Sequence, residues 1–245
     1  MDARRDDVVR FYVDQVLTPG STCLLPEDSA HHAVHVLRVR QGDDVVLFNG
    51  RGGEYPSRIA AIERLKVMVD VLSHDPVERE SPLRMALVQG VSAGEKMDFT
   101  IRKAVELGVA EIQPVLAAAS LARLKGERAA SRQAHWQRVA VSACEQCGRN
   151  RIPAVLAMIA ATDYRNDANE AKVLLSPRSE LAFSKVKFGD SVVLAAGPEA
   201  GFNVAEEAAF VRSGFVPARL GPRVLRTETA ALAALAALSA LAGDF

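Results

Sequence analysis

Near the carboxyl end of the chain, two short stretches combine groups that can hold a ligand and act on it. GPEAGF, Gly197 to Phe202, follows the apolar run SVVLAA and precedes the acidic, helix-like NVAEEAAFVRSG. A glycine-proline turn between a strand and a helix offers backbone N–H groups at a strand's carboxyl end, and Glu199 adds a carboxylate able to meet a ligand hydroxyl or cation. LGPRVLRTETA, Leu220 to Ala230, repeats the glycine-proline turn and sets Arg226, Thr227, Glu228 and Thr229 where a last helix opens. Thr227 or Thr229 suits the cap of that helix, and Glu228 complements its dipole. Taken singly, each loop is also consistent with a plain strand-to-helix connection.

Other signatures are missing or incomplete. There is no GxGxxG fingerprint, GxxxxGK[ST] loop or GxSxG elbow, which argues against nicotinamide enzymes, P-loop NTPases and α/β-hydrolases. CEQC, Cys144 to Cys147, lies late in a predicted helix with no second pair to complete a zinc site. HHAVH, His31 to His35, lacks the glutamate of HExxH, so no metal is expected. His31 and His32, near Arg38 and Arg40, suit RNA phosphates or bases instead. Net charge is zero but uneven: residues 81–160 carry 11 Lys/Arg against 6 Asp/Glu, while residues 1–80 carry 10 against 14. Most of the excess lies in Leu121 to Arg151, with seven basic and two acidic residues. Such a segment fits a polyanion or a solvated helix face.

The elements that must position these groups change character along the chain. RFYV, DDVVLFN, EYPSRIAAI and LKVMVDVL read as short strands, with NGRGG as a hairpin signal and EDSAHHAVHVL as one helix capped by Asp28 or Ser29. A small β-barrel or rolled sheet is expected over residues 1–75. The polar, proline-broken SHDPVERESP marks a boundary, and strands and helices alternate over residues 76–245, which implies a mainly parallel sheet with helices on both faces. Leu232, Leu235, Leu238 and Leu241 form an apolar stripe on the last helix, expected to serve the core or a subunit interface. The tail is too short to span a membrane, the start has no signal-peptide pattern, and three cysteines fit a reducing cytoplasm.

The order and spacing of several motifs resemble the RsmE family of the SPOUT superfamily of knotted RNA methyltransferases. The resemblance runs nearly end to end, through HHAVHVLRVRQGDDVVLFNGRGGEY, KMDFTIRKAVELGVAEIQPVL, HWQRVAVSACEQCGRNRIPAV, GPEAGF and LGPRVLRTETAALAAL. It implies a PUA-like RNA-binding barrel followed by an α/β SPOUT domain with a deep trefoil knot. It further implies a homodimer that binds S-adenosylmethionine (AdoMet) and methylates N3 of a uridine in 16S rRNA, free or in the 30S subunit. By motif match, the cofactor would meet Leu175, Ser176, Gly197, Pro198, Glu199, Ala200, Gly201, Leu220, Gly221, Val224, Leu225 and Thr229. Arg226 and Glu228 are the implied catalytic pair: uracil N3 carries a proton at neutral pH, so the site needs a base or a cation that stabilises the uracil anion. His31, His32, Arg38, Arg40, Arg123 and Arg149 are the expected RNA contacts, with Arg149 equally suited to the partner's active site or to a structural ion pair.

Departures from the family pattern all run to small residues. Ala200 stands where GPEGGF is usual, and at positive φ an alanine would cost about 1 kcal/mol. Ala118, Ala119 and Ser120 stand where relatives tend to carry Glu-Arg-Ser, and Ala93 where lysine is common. The rival readings are therefore a non-catalytic or weakened RNA-binding homologue, or a SPOUT methyltransferase with another RNA target.

Overall fold

The computed structural model describes residues 8–64, 66–118, 126–166 and 170–245, so Arg123, Ala119 and Ser120 lie outside the described residues. The chain divides into two compact units, residues 1–80 with 144–152, and residues 81–143 with 153–245.

In the first unit, five strands among the described residues form one sheet: β1 (Arg10–Tyr12), β2 (Thr22–Leu24), β3 (Asp44–Phe48), β4 (Tyr55–Glu63) and β5 (Lys66–Val71). The order is β1-β3-β4-β5-β2, parallel between β1 and β3 and antiparallel elsewhere, so the hydrogen-bonded path has two edges and does not close. The NGRGG turn joins β3 to β4 with Gly50, Gly52 and Gly53 all at positive φ, the conformation such a turn demands. Alternation along β5 sends Val67, Val69 and Val71 into a core with Leu47, Ile59 and Phe11. Helix α1 (Glu27–His35) adds Ala30 and Ala33 to the buried side and leaves His31, His32 and His35 exposed. It opens two to three residues earlier than expected, with Pro26 at the cap position and no side-chain cap, so Asp28 serves the first-turn dipole instead.

Residues 144–152 belong to this unit, whereas the sequence reading divided the chain once, at residue 75. An ionic network explains the difference. Arg10 Nη1 and Arg79 Nη1 both donate to Glu54 Oε2, at 2.6 and 2.9 Å, while Arg10 Nη2 donates to Asn150 Oδ1 and Arg79 Nη1 to the Gly148 carbonyl. Burial opposes ionisation of Glu54, but Arg79 and Arg10 outweigh it and hold the carboxyl below its usual range. With the folded pKa depressed, this contribution is present above the ordinary carboxylate pKa and fades as pH falls through the folded value. Glu54→Gln is expected to cost about 3 kcal/mol at neutral pH, because it removes the carboxylate paired with the largely buried Arg10, while the exposed Arg79 contributes little. Urea unfolding at pH 7 and pH 3 checks this: the wild-type advantage should shrink at the lower pH.

In the second unit, the described strands are β6 (Arg84–Gly90), β7 (Val109–Leu116), β8 (Ala154–Val155), β9 (Ile159–Ala160), β10 (Ala171–Leu175), β11 (Ser191–Ala196) and β12 (Val216–Ala218). They run β12-β10-β11-β6-β7-β8, with β9 also on β7, and every pairing is parallel. The central β6 and β11 are buried nearly throughout, as their unbroken apolar runs require of strands covered on both faces. The helices are α2 (Glu95–Glu106), α3 (Glu127–Cys147, of which residues 144–147 belong to the first unit), α4 (Val204–Arg212) and α5 (Thr227–Ala242). Helix α2 buries Met97, Thr100, Ile101, Ala104 and Val105, a single face at i, i+3, i+4, i+7 and i+8. Helix α5 buries Ala231, Ala234, Leu235, Leu238 and Ser239 with the same spacing and packs on α2 and on β11 and β6. Of the leucine stripe, Leu235 and Leu238 lie in the core. Steps of three turn a helix by about 300°, so the row drifts off the face and Leu241 ends 65% exposed.

Candidate active site

The second unit opens a cleft of about 530 Å³ beyond the carboxyl ends of β10, β11 and β12. That volume suits a small molecule or cofactor. From β10 the chain steps to β11 on one side and then to β12 on the other, and such reversals leave a crevice at the strand ends. One wall is the end of β10, Leu175 and Ser176; the second is GPEAGF, from Gly197 to Gly201; the third carries Leu220, Gly221, Val224 and Leu225, then Arg226 and Glu228. Three segments separated in sequence therefore meet around one space. Thr229 is exposed and outside the lining, and Thr227 takes the inward position. Two residues turn a helix by about 200°, so the two threonines cannot share a face. Neither caps α5: Arg226 sits at the cap position without a side-chain cap.

GPEAGF closes as a turn, with the Gly201 N–H donating to the Pro198 carbonyl at 2.8 Å. Among the described non-glycine residues only Arg38 and Arg64 have positive φ, so Ala200 carries no left-handed strain; Gly201, at φ 71, carries that conformation instead. The substitution expected to strain the turn is therefore accommodated. Ala200→Gly should lower stability by about 0.4–1 kcal/mol through the unfolded chain, and Gly201→Ala by about 1–2 kcal/mol through the folded one. Thermal unfolding of the two variants checks the ranking.

Glu199, read from sequence as a ligand contact, is engaged by the protein. It accepts from the Ala93 N–H at 3.1 Å and Lys96 Nζ at 3.2 Å, bracing the turn against the start of α2. Burial works to raise its pKa, but its own backbone N–H, the Ala93 N–H and Lys96 hold it below the usual range. Ala93 contributes through its backbone, and so does Ala118, whose N–H donates to the buried Glu206 at 2.6 Å. Ser176 Oγ donates to Glu207, which also pairs with Arg178 at 2.9 Å.

The polar groups facing the cleft are unequally satisfied. Glu228 Oε2 is buried and accepts no hydrogen bond, while among the described residues Arg226 and Arg223, both exposed, have no ion-pair partner. Glu228, with its buried unpaired oxygen, and the two unpaired arginines thus lie on one wall of the cleft. Sequence reasoning gave Thr227 only a capping role and missed Gln89, to which Thr227 is hydrogen-bonded. Its signal was a lone polar residue late in the apolar run RMALVQG.

In the first unit, His31, His32, Arg38 and Arg40 are all exposed, and the His31 and His35 rings lie 4.5 Å apart. Arg149 differs from that expectation: it is 3% exposed, and its Nη2 pairs with Glu80 at 2.5 Å and its Nε at 3.0 Å. Its neighbour Cys144 is buried, which pushes the thiol up to about 12 and keeps it protonated at neutral pH.

Comparison with known proteins agrees with this geometry. The RNA methyltransferase domain family matches residues 79–239, and the RNA methyltransferase PUA domain family matches residues 25–72. The chain is 32% identical to ribosomal RNA small subunit methyltransferase E of Buchnera aphidicola subsp. Acyrthosiphon pisum, over 97% of this chain and 95% of that one. It is 28% identical to the Bacillus subtilis protein of the same name, over 91% and 93%. A Legionella pneumophila structure with bound SAM superposes with a TM-score of 0.91 at 36% identity, covering 96% and 98% of the two chains. The Neisseria gonorrhoeae ribosomal RNA small subunit methyltransferase E, solved with S-adenosyl methionine, gives 0.86 at 38% identity over the same shares. Parallel sheet, strand-end cleft and strand-rich amino-terminal unit together define an RNA methyltransferase with a PUA domain. Within that class, the chain belongs to the RsmE family, the ribosomal RNA small subunit methyltransferases E.

Proposed function

We propose that this chain transfers a methyl group from AdoMet to N3 of a uridine in 16S rRNA of the small ribosomal subunit. The observation that carries it is Glu228, whose Oε2 is buried without a hydrogen-bond partner, on the same cleft wall as Arg226. When bound, AdoMet supplies an electrophilic methyl group, so the protein need not activate the donor and must chiefly align the acceptor nitrogen. The cleft fits that cofactor in volume, with Leu175, Leu220, Val224 and Leu225 as apolar lining and the Gly197–Gly201 backbone as polar lining. Glu228 takes the N3 proton, and Arg226 stabilises the negative charge spread over the uracil carbonyl oxygens.

His31, His32, Arg38 and Arg40 hold RNA on the first unit, consistent with their exposure. Arg149 is left out of that set because it is buried against Glu80. We also carry forward the family's knotted SPOUT topology around the cleft, its homodimer and its place in the cytoplasm. Exposed Leu241 and Phe245 at the end of α5 offer apolar surface for a second copy. Ala200 is unstrained, which removes the backbone-strain argument for a binding-only homologue.

The test is transfer of labelled methyl from AdoMet to 30S particles and to free 16S rRNA from cells lacking this modification, followed by nucleoside analysis. Label in 3-methyluridine is expected. Label in any other nucleoside, or none, overturns the assignment.

A further inference from the structure

We infer that Gln89, which does not line the cleft, is a positioning residue that acts through Thr227 to fix the two cleft walls against each other. This rests on the methyltransferase reading for its catalytic consequence, and on geometry alone for its structural one.

Gln89 is fully buried at the end of β6, with its Nε2 donating to the Gly90 carbonyl at 3.0 Å and to Thr227 Oγ1 at 3.1 Å. The amide orientation is dictated by chemistry, because a carbonyl can only accept and the reversed amide would set its oxygen against Gly90 O. Thr227 therefore accepts from Gln89, and its single hydroxyl hydrogen is left to donate to the Gly197 carbonyl, at 2.5 Å. The relay runs one way: Gln89 to Thr227 to Gly197.

Three strand and helix ends meet at this point. Gly197 opens the GPEAGF wall, and Thr227 lies between Arg226 and Glu228 on the opposite wall. Gly90 completes the contact, since a Cβ there would stand 2.4 Å from Pro198 Cδ and N. The end of β6 thus presses on the residue after Gly197 while Gln89 holds the hydroxyl that binds Gly197 itself.

The arrangement carries a cost that an apolar side chain would avoid. Gln89 Oε1 is buried with no hydrogen-bond partner. A core position needing only volume would be served by methionine or leucine. What the carboxamide adds is the direction of the Thr227 hydroxyl, and with it the placement of Arg226 and Glu228 relative to GPEAGF.

The experiment compares Gln89→Met, Thr227→Val, Thr227→Ser and the double variant Gln89→Met/Thr227→Val with the unmodified full chain. Hydrogen exchange over residues 197–203 is read without cofactor or RNA, and kcat and KM for AdoMet are read with 30S particles. Gln89→Met and Thr227→Val should each speed that local exchange several-fold and lower kcat by about tenfold to hundredfold, with a smaller change in KM. The double variant should be no worse than the poorer single one, because both remove the same relay. Thr227→Ser, which keeps the hydroxyl, should lie closer to wild type than Thr227→Val. Unchanged exchange, additive losses, or a serine variant as impaired as the valine one overturns the inference. Should Gln89→Met fail to fold, the Val/Ser pair decides by itself. A wild-type protein inactive on 16S rRNA would sink the functional reading, while the exchange data would still judge the relay.

Discussion

Arg226→Ala is expected to lower the single-turnover rate of methyl transfer by about 10²- to 10³-fold while AdoMet affinity stays within a few-fold. The size is that of removing one preorganised donor from a site of developing negative charge. The position favours that role. Arg226 has extended backbone (φ −66, ψ 156) at the cap of α5, so its side chain departs from the helix start where the positive end of the helix dipole already lies. It borders the cleft and, among the described residues, has no carboxylate partner to neutralise it. Arg226→Lys should fall between, since lysine keeps the charge and loses the planar fork that can meet two oxygens. Rates are read with RNA in excess over its KM, and AdoMet binding by calorimetry. A rate unchanged in Arg226→Ala removes the residue from the chemistry. An altered KM for RNA with kcat intact would make it a binding contact instead.

The parts of this site legible in the sequence were those written locally. A glycine-proline turn after an apolar run announces a strand end whatever the rest of the fold does, and both such turns are walls of the cleft. Side-chain partners set by distant chain segments were not legible. Glu199 read as free because its partners, Ala93 and Lys96, lie about a hundred residues upstream on another element. Arg149 stood open between an RNA contact and a structural ion pair, and nothing local names Glu80 as the partner that decides for the buried pair. The choice between Thr227 and Thr229 turned on where α5 begins. A boundary error of one or two residues is enough to put the wrong threonine in the cleft. The helices were more legible than their faces: α5 forms where the alanine-rich run predicts, yet its buried face follows alanines as much as leucines.

The largest effect is expected for Glu228→Gln, a loss of about 10²- to 10⁴-fold in methyl transfer at neutral pH, the range a positioned general base supplies. Glutamine keeps the shape and the first turn of α5 but cannot accept a proton from N3. The buried Oε2 without a partner is an acceptor, and two donors suit it chemically: the N3–H of the substrate and the α-ammonium of AdoMet. The pH profile separates them. If Glu228 removes the N3 proton, the variant's deficit should shrink as pH rises toward the value at which uracil N3 ionises unaided, and AdoMet affinity should hardly change. If Glu228 instead holds the cofactor's positive charge, the dissociation constant for AdoMet should rise in Glu228→Gln and alkaline pH should restore nothing. The second pattern would leave Arg226 as the sole group acting on the uracil, which then reacts from its small ionised fraction. Under that outcome even the wild-type rate should climb about tenfold per pH unit below the N3 pKa, whereas a working base makes that slope shallow.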